Sequence, residues 1–317
     1  VIVRTVLGDV EAADLGVTYA HEHVVFDSPF IAENLPDILL DDDAAAVAEL
    51  RGCAEVGVGA MVDAAPCASG RHPERLAAIS KASGVHIIAA TGLHTEMWYP
   101  DAPWTRESSP DVLAALFTAD ISEGIDRHDH RGAAVERTEI RAGIIKIGSL
   151  HEIPNDRDRR VFEAAAQTAA ATGAAILTHC EGGRGGLAHV ELFAGFGVAP
   201  DRVILSHTDK VAEAGYHRDL LETGVNVEYD QALRQSPSSR DGTAWLVGTM
   251  VDAGFVDQIM LGTDGARRAM WTALGGSPGL AWLAGGFTGS LVARGVDPAA
   301  IDTMLVDNPA RVLPLRP

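Results

Sequence analysis

Positive charge is what this sequence has least of. Its 317 residues carry 25 Lys and Arg against 44 Asp and Glu, a formal net charge of −19 at pH 7. So acidic a chain is a poor ligand for nucleic acid or for an anionic membrane, since both demand patches of positive potential. Lysine is rarest of all, with Lys81, Lys146 and Lys210 the whole complement. Cysteine is nearly absent too. Cys53, Cys67 and Cys180 do not make a disulfide framework, and a reducing cytoplasm is the expected compartment. No apolar run reaches the ~18 residues of a membrane span. The N-terminal segment VIVRTVLGDV shows no basic stretch ahead of a long apolar core, so no secretory signal is read there. Repeats, low-complexity stretches and Ser/Gly linkers are missing, and one domain over residues 1–317 is expected, although length alone suggests two.

What is present is alternation. Short β-rich segments recur at 16–24, 58–66, 85–94, 141–149, 174–181, 202–209, 226–230 and 258–265. Several are near-continuous apolar runs, as in parallel strands covered on both faces. Between them run Ala- and Leu-rich stretches of helical spacing. The first opens on Asp41-Asp42-Asp43, which suits a helix N-terminus. Strand–helix alternation repeated eight times over ~250 residues predicts an α/β fold of the (β/α)8 TIM-barrel type. The competing doubly wound sheet would place a Gly-rich loop after its first strand, where this chain has HEHVVFDSPF. Residues 1–15 read as an N-terminal β-hairpin cap turning at Gly8-Asp9. The tail reads as a short helix with Asn308 as N-cap and Pro309 at its first position. Long stretches follow the third, seventh and eighth candidate strands, and loops after barrel strands are where such folds hold active sites.

The strand ends carry the chemistry. Alternation puts His21 and His23 on one face with Val17 and Tyr19, and Glu22 on the other. His179 is in phase with Ala175 and Leu177, His207 with Val203 and Leu205, Asp264 with Met260 and Gly262, and Lys146 with Ile144. That much polarity inside an apolar barrel needs compensation, because an unpaired buried charge costs several kcal/mol. Four histidines and an aspartate converging at one height suit divalent transition metals. Lys146, set among isoleucines, is the sharpest clue. Two readings fit it: a lysine neutralised by burial or paired with Asp264, and a carbamate made by adding CO2 to its amine, an anion that two cations can share.

Taken together, HEH (21–23), the strand lysine Lys146, THCEGG with His179, SHTD with His207 and LGTD with Asp264 resemble the phosphotriesterase family of the amidohydrolase superfamily. The likeness runs in order over essentially the whole chain. It implies a binuclear centre of divalent metal ions, usually Zn2+. His21, His23 and Asp264 would hold the more buried ion, and His179 and His207 the more exposed one. Lys146 as N6-carboxylysine and a hydroxide would bridge both. Asp264 would shuttle the proton, and the chain would be a homodimer.

The stretches after the third and eighth strands most resemble the family's lactonases for sugar lactones, including phosphorylated ones. The substrate expected is therefore a small anionic or sugar lactone, with phosphotriester or other carboxylic ester hydrolysis on the same site as the alternative. Arg267 and Arg268 would clamp an anionic group bidentately. Arg234 or Arg240 would supply the basic residue that this subgroup carries after its seventh strand, and Trp271 stands near the place of a phosphate-holding tyrosine. His94, Trp98, Tyr99 and Trp104 would line the mouth, with Tyr99 orienting the substrate carbonyl. Asp209 and Asp63 are expected to hold histidines from behind. His151, close behind the fourth strand, is a candidate for the pocket. Cys180 is expected in the core, and Arg127-His128-Asp129-His130 as solvated surface.

Overall fold

The computed structural model describes residues 1–235 and 242–316. The chain enters through an antiparallel hairpin, β1 (Ile2–Thr5) and β2 (Gly8–Glu11). Thr5 pairs with Gly8, so the turn is Val6-Leu7 rather than Gly8-Asp9. The reason lies in Val6, which is buried and donates its N–H to the Ile87 carbonyl at 2.8 Å. Thr5 Oγ1 spans the turn, donating to the Gly8 carbonyl and accepting from the Leu7 N–H.

Eight parallel strands follow in sequence order as one sheet: β3 (Val17–Glu22), β4 (Val58–Asp63), β5 (His86–Thr91), β6 (Ile144–Ser149), β7 (Ile176–Cys180), β8 (Val203–Ser206), β9 (Asn226–Tyr229) and β10 (Ile259–Leu261). The first and last meet, because the Thr263 and Asp264 N–H groups both donate to the His21 carbonyl, at 3.2 and 3.0 Å. Glu22, pointing outward from β3, seals the seam by accepting from Thr263 and from the Gly265 N–H. The result is a TIM-type barrel with an N-terminal hairpin. Helices separate successive strands. Asp42 caps the helix Asp43–Glu55 through the Ala45 N–H, and Gly173, at φ 70°, ends the helix Asp156–Thr172. The tail departs from expectation. Asn308 lies within continuous helical turns, and its amide ties them to the Val256 and Ile259 carbonyls.

Two apolar clusters follow from strand alternation. Ala60, Val62, Ile88, Ala90, Ile144 and Leu177 fill the barrel, which Val3, Leu15 and Val312 plug from below. The alternate residues, such as Met61, Ile87 and Ile145, face the helices. Two predicted phases break. Tyr19 belongs to the outer cluster, bonded to Leu280 and Ala284, while Ala20 points inward. A register shift between Tyr19 and Glu22 explains this: three residues of β3 advance against two of β4, and the extra one returns His21 to the interior. On β8, Val203 and Leu205 face the helices and Ile204 faces inward. His207 reaches the interior because its backbone turns left-handed just past the strand, at φ 65°.

Candidate metal centre

At the C-terminal mouth of the barrel the strand ends bring the polar residues together. His21 Nε2 and His23 Nε2 lie 3.9 and 3.5 Å from the same Asp264 oxygen, Oδ1. His207 Nδ1 lies 2.6 Å from Asp230 Oδ2 and 3.9 Å from Asp264 Oδ2. The His179 ring sits 4.4 Å from that of His207, centre to centre. Lys146 Nζ lies beneath, buried, within 3.4 Å of Ser206 Oγ. The expected histidines, lysine and aspartate thus share one site. Asp264 gets there through a left-handed residue, φ 44°, just beyond β10.

Two acids join them that the sequence reading did not single out. Glu228 and Asp230 point inward from β9, both fully buried, beside His21 Nδ1 at 3.4 and 3.6 Å. Their spacing, i and i+2 in alternation with Val227 and Tyr229, is the same signal that marks His21 and His23. Glu22, the seam clamp, was legible only as the outward residue of the histidine pair.

The donor set fits divalent cations. His21, His23 and Asp264 form one group of ligand atoms within 4.8 Å of one another, and His21, His207 and Asp230 form a second. Among the described residues the buried Nδ1 atoms of His21, His23 and His207 have no hydrogen-bond partner; Asp230, though close to His207, lies off the line of a ring N–H. Burial holds His21 and His207 below the usual histidine range and takes His179 down to about 3. These are neutral imidazoles with lone pairs to give. Burial raises Asp264, but Arg234 and the surrounding histidines outweigh it and keep the carboxylate ionised. Burial likewise lowers Lys146 to about 8, against the pull of Asp264, Glu228 and Asp230. That lowering enlarges the fraction of neutral amine, the form that CO2 addition requires.

A cavity of about 580 Å³ opens above this floor. One wall is aromatic: Phe26 stacks on His23 at 5.0 Å and meets Trp98 at 5.3 Å, and His94 bridges Trp98 and His179. The other carries Lys210, Arg234 and Arg267. Arg234 is tied to Asp264 Oδ2 at 2.9 Å and donates to the Thr263 carbonyl. Lys210 is a further cation that the sequence reading did not single out. Tyr99, Trp104, Arg268 and Trp271 are not among the lining residues. Tyr99 is buried with its hydroxyl accepting the His94 N–H, and Trp104 packs edge-on to His130. Arg268 holds the Leu39 carbonyl and Asp41, and Trp271 is buried with its indole N–H on the Gly265 carbonyl. Arg240 lies outside the described residues.

The remaining assignments divide. Cys180 is core, as expected, and His151 is exposed. Asp63 holds backbone rather than a ring, accepting the N–H groups of Val24, Val25 and Ala65 just past the histidine pair. Asp209 accepts from Gln231 and Thr243. The 127–130 segment is not simply solvated: Asp129 receives Arg71 Nε at 2.8 Å, and His130 meets buried Asp120. Cys67, Asp120 and His130 have the spacing of metal ligands. Asp120, however, is already neutralised by Arg71 and Arg137, which leaves a cation no net attraction.

Known proteins resemble this chain along nearly its whole length. The model of the phosphotriesterase family matches residues 1–313. A "phospho-furanose lactonase" of Mycoplasmopsis synoviae (strain 53) is 30% identical over 321 residues, covering 98% of this chain and 91% of its own. The crystal structure of an amidohydrolase from Mycoplasma synoviae superposes with a TM-score of 0.93 at 29% identity, over 99% of this chain and 92% of that one. The phosphotriesterase homology protein of Escherichia coli, crystallised with phosphate in its active site, superposes with a TM-score of 0.86 at 27% identity, over 95% and 99%.

Proposed function

This chain belongs to the phosphotriesterase family, metal-dependent hydrolases of ester-type bonds, and from that premise we propose that it is a binuclear lactonase for small sugar lactones bearing an anionic group. The observation that carries the reading is the cavity itself. Its floor holds two overlapping sets of metal donors and its rim holds Lys210, Arg234 and Arg267, three cations in a chain of net charge −19. A neutral phosphotriester offers those cations nothing to hold, whereas a phosphorylated lactone does. The lactonase relative and the phosphate-bound neighbour support the same class.

In this reading His21, His23 and Asp264 would hold one divalent ion and His179 and His207 a second, with Lys146, as N6-carboxylysine, a ligand they would share. Two such ions, Zn2+ in this proposal, would supply a water acidified from 15.7 towards ~7 and an electrophile for the lactone carbonyl. The chain's own residues do the rest. Asp264 takes the proton released at the nucleophile and returns it to the ring oxygen as that bond breaks. Arg234 and Arg267 fix the anionic end, and Trp98 and His94 cover the sugar face. Tyr99 acts from below, its hydroxyl fixing the His94 backbone.

The test is a panel of γ- and δ-lactones, with and without phosphate, and a neutral phosphotriester, assayed by pH indicator on zinc-, cobalt- and manganese-loaded protein. Turnover should be fastest with the phosphorylated lactones. No hydrolysis of any lactone by metal-replete enzyme would refute the proposal. Lys146→Ala should lose most activity and regain part of it with added short carboxylates; full activity in that variant would remove the carbamate from the scheme.

A further inference from the structure

We propose that Glu228 is the positioning residue of the inner metal site. Its carboxylate takes the Nδ1–H of His21 and so leaves Nε2, on the Asp264 side, as the metal donor. The proposal rests on the binuclear reading above and adds a residue to it.

Three observations converge. Glu228 is fully buried, and among the described residues no N–H reaches either of its oxygens; its neighbour is the acid Asp230, which together with burial pushes it well above the usual carboxylate range. Its nearest ring atom is His21 Nδ1, 3.4 Å from Oε2 and itself without a partner. On the far side of the same ring, Nε2 faces Asp264 Oδ1 at 3.9 Å. A small rotation of either side chain turns two orphaned atoms into one charge-assisted bond. Space has been made for that carboxylate. The neighbouring strand end carries Gly262, where a Cβ would sit 2.5 Å from Glu228 Oε1 and 2.8 Å from the His21 backbone.

The arrangement makes sense only with a cation present. A buried carboxylate with no partner is costly, and with Asp264 already paired to Arg234 the acids Glu228 and Asp230 still outnumber Lys146 at the floor of the barrel. A divalent ion on His21 compensates that excess. The carboxylate in turn raises the basicity of the ring and fixes which nitrogen binds, as carboxylates behind metal-bound histidines do. Asp230 stands between the two rings, its Oδ2 2.6 Å from His207 Nδ1 and 3.6 Å from His21 Nδ1, so Glu228 is the acid that faces His21 alone.

Glu228→Gln and Glu228→Leu test this. With wild type, each is stripped, reloaded with zinc and challenged with a chelator, while apoprotein melting is recorded separately. Expected are an apoprotein midpoint no lower than wild type and metal loss from one of two sites faster by about 10- to 100-fold, more so in the Leu variant. Wild-type retention in both variants would overturn the role of Glu228. So would a lower apoprotein midpoint with unchanged metal loss, which marks a purely structural residue. Should the variants not fold, histidine-selective 15N NMR of zinc-loaded wild type decides. His21 metal-bound through Nε2 and protonated on Nδ1 supports the proposal, and the opposite tautomer overturns it. Wild type that takes up no metal would instead overturn the binuclear reading itself, and this one with it.

Discussion

Arg234 is anchored before any substrate arrives. Its guanidinium pairs with Asp264 and donates to the Asp230 and Thr263 carbonyls, yet it also lines the cavity, so an incoming anion meets a positive charge already held in place. Arg234→Gln should therefore raise KM for a phosphorylated lactone by on the order of tenfold, about 1.4 kcal/mol, and change KM for a neutral lactone far less. Equal effects on both substrates would show that the arginine serves Asp264 rather than the substrate. Trp271 makes the opposite case. Its indole N–H is spent on the Gly265 carbonyl and its ring is buried. Trp271→Phe should leave the carbonyl unpaired and cost roughly 1–3 kcal/mol of stability, visible as a lower urea midpoint. KM for the anionic lactone should stay unchanged, and a selective rise in it would return Trp271 to the substrate.

At the scale of strands, what was legible depended on whether alternation ran unbroken to the strand end. It did on β6 and β7, so Lys146 and His179 stand where their phase puts them, with Ile144 and Leu177 below. It failed for Tyr19 and for the approach to His207, where a bulge and a left-handed residue each reverse the face without leaving a periodic trace in sequence. Glu228 and Asp230 did leave a trace, but carboxylates at i and i+2 in a short strand read equally well as a solvated edge. Arg268 and Trp271 were beyond reach for another reason: their partners, Leu39 and Asp41 for one and the backbone of a tight turn for the other, are fixed by tertiary contact. Strand ends also explain a demand on β5. Gly92 follows it at φ 105°, and a Cβ there would overlap the Lys146 carbonyl. Gly92→Ala should cost roughly 1–3 kcal/mol for the backbone strain alone, and by displacing Lys146 should lower bound metal per chain. Loss of stability with a full metal complement would uncouple that contact from the site.

Across the whole molecule, buried histidines outside the set of metal donors set a pH limit. His189, on the helix Gly186–Gly195, is buried against Phe162 and Cys180, and burial drives it down to about 3. His217 is taken to about 4 in the same way, between Tyr229 and the Val211 carbonyl. In the unfolded chain both regain an ordinary value near 6.5. Between those limits the unfolded state binds protons that the folded state refuses, so stability falls as pH drops below about 6.5, by about 1.4 kcal/mol per pH unit for each histidine. Above that value neither group contributes a slope. Other buried acids, Glu22 at about 8 among them, bend the total profile in their own directions, and a difference measurement isolates one group. His189→Leu keeps an apolar side chain in the same pocket and removes the proton site. Plotted against pH, the stability of wild type minus that of the variant should be flat from pH 8 to 7 and fall by close to one proton per molecule from pH 6 to 4.5. A difference that stays flat through the acid range would mean that the folded protein accepts a proton at His189 as readily as the unfolded chain does, and that the helix over β7 opens to let it in.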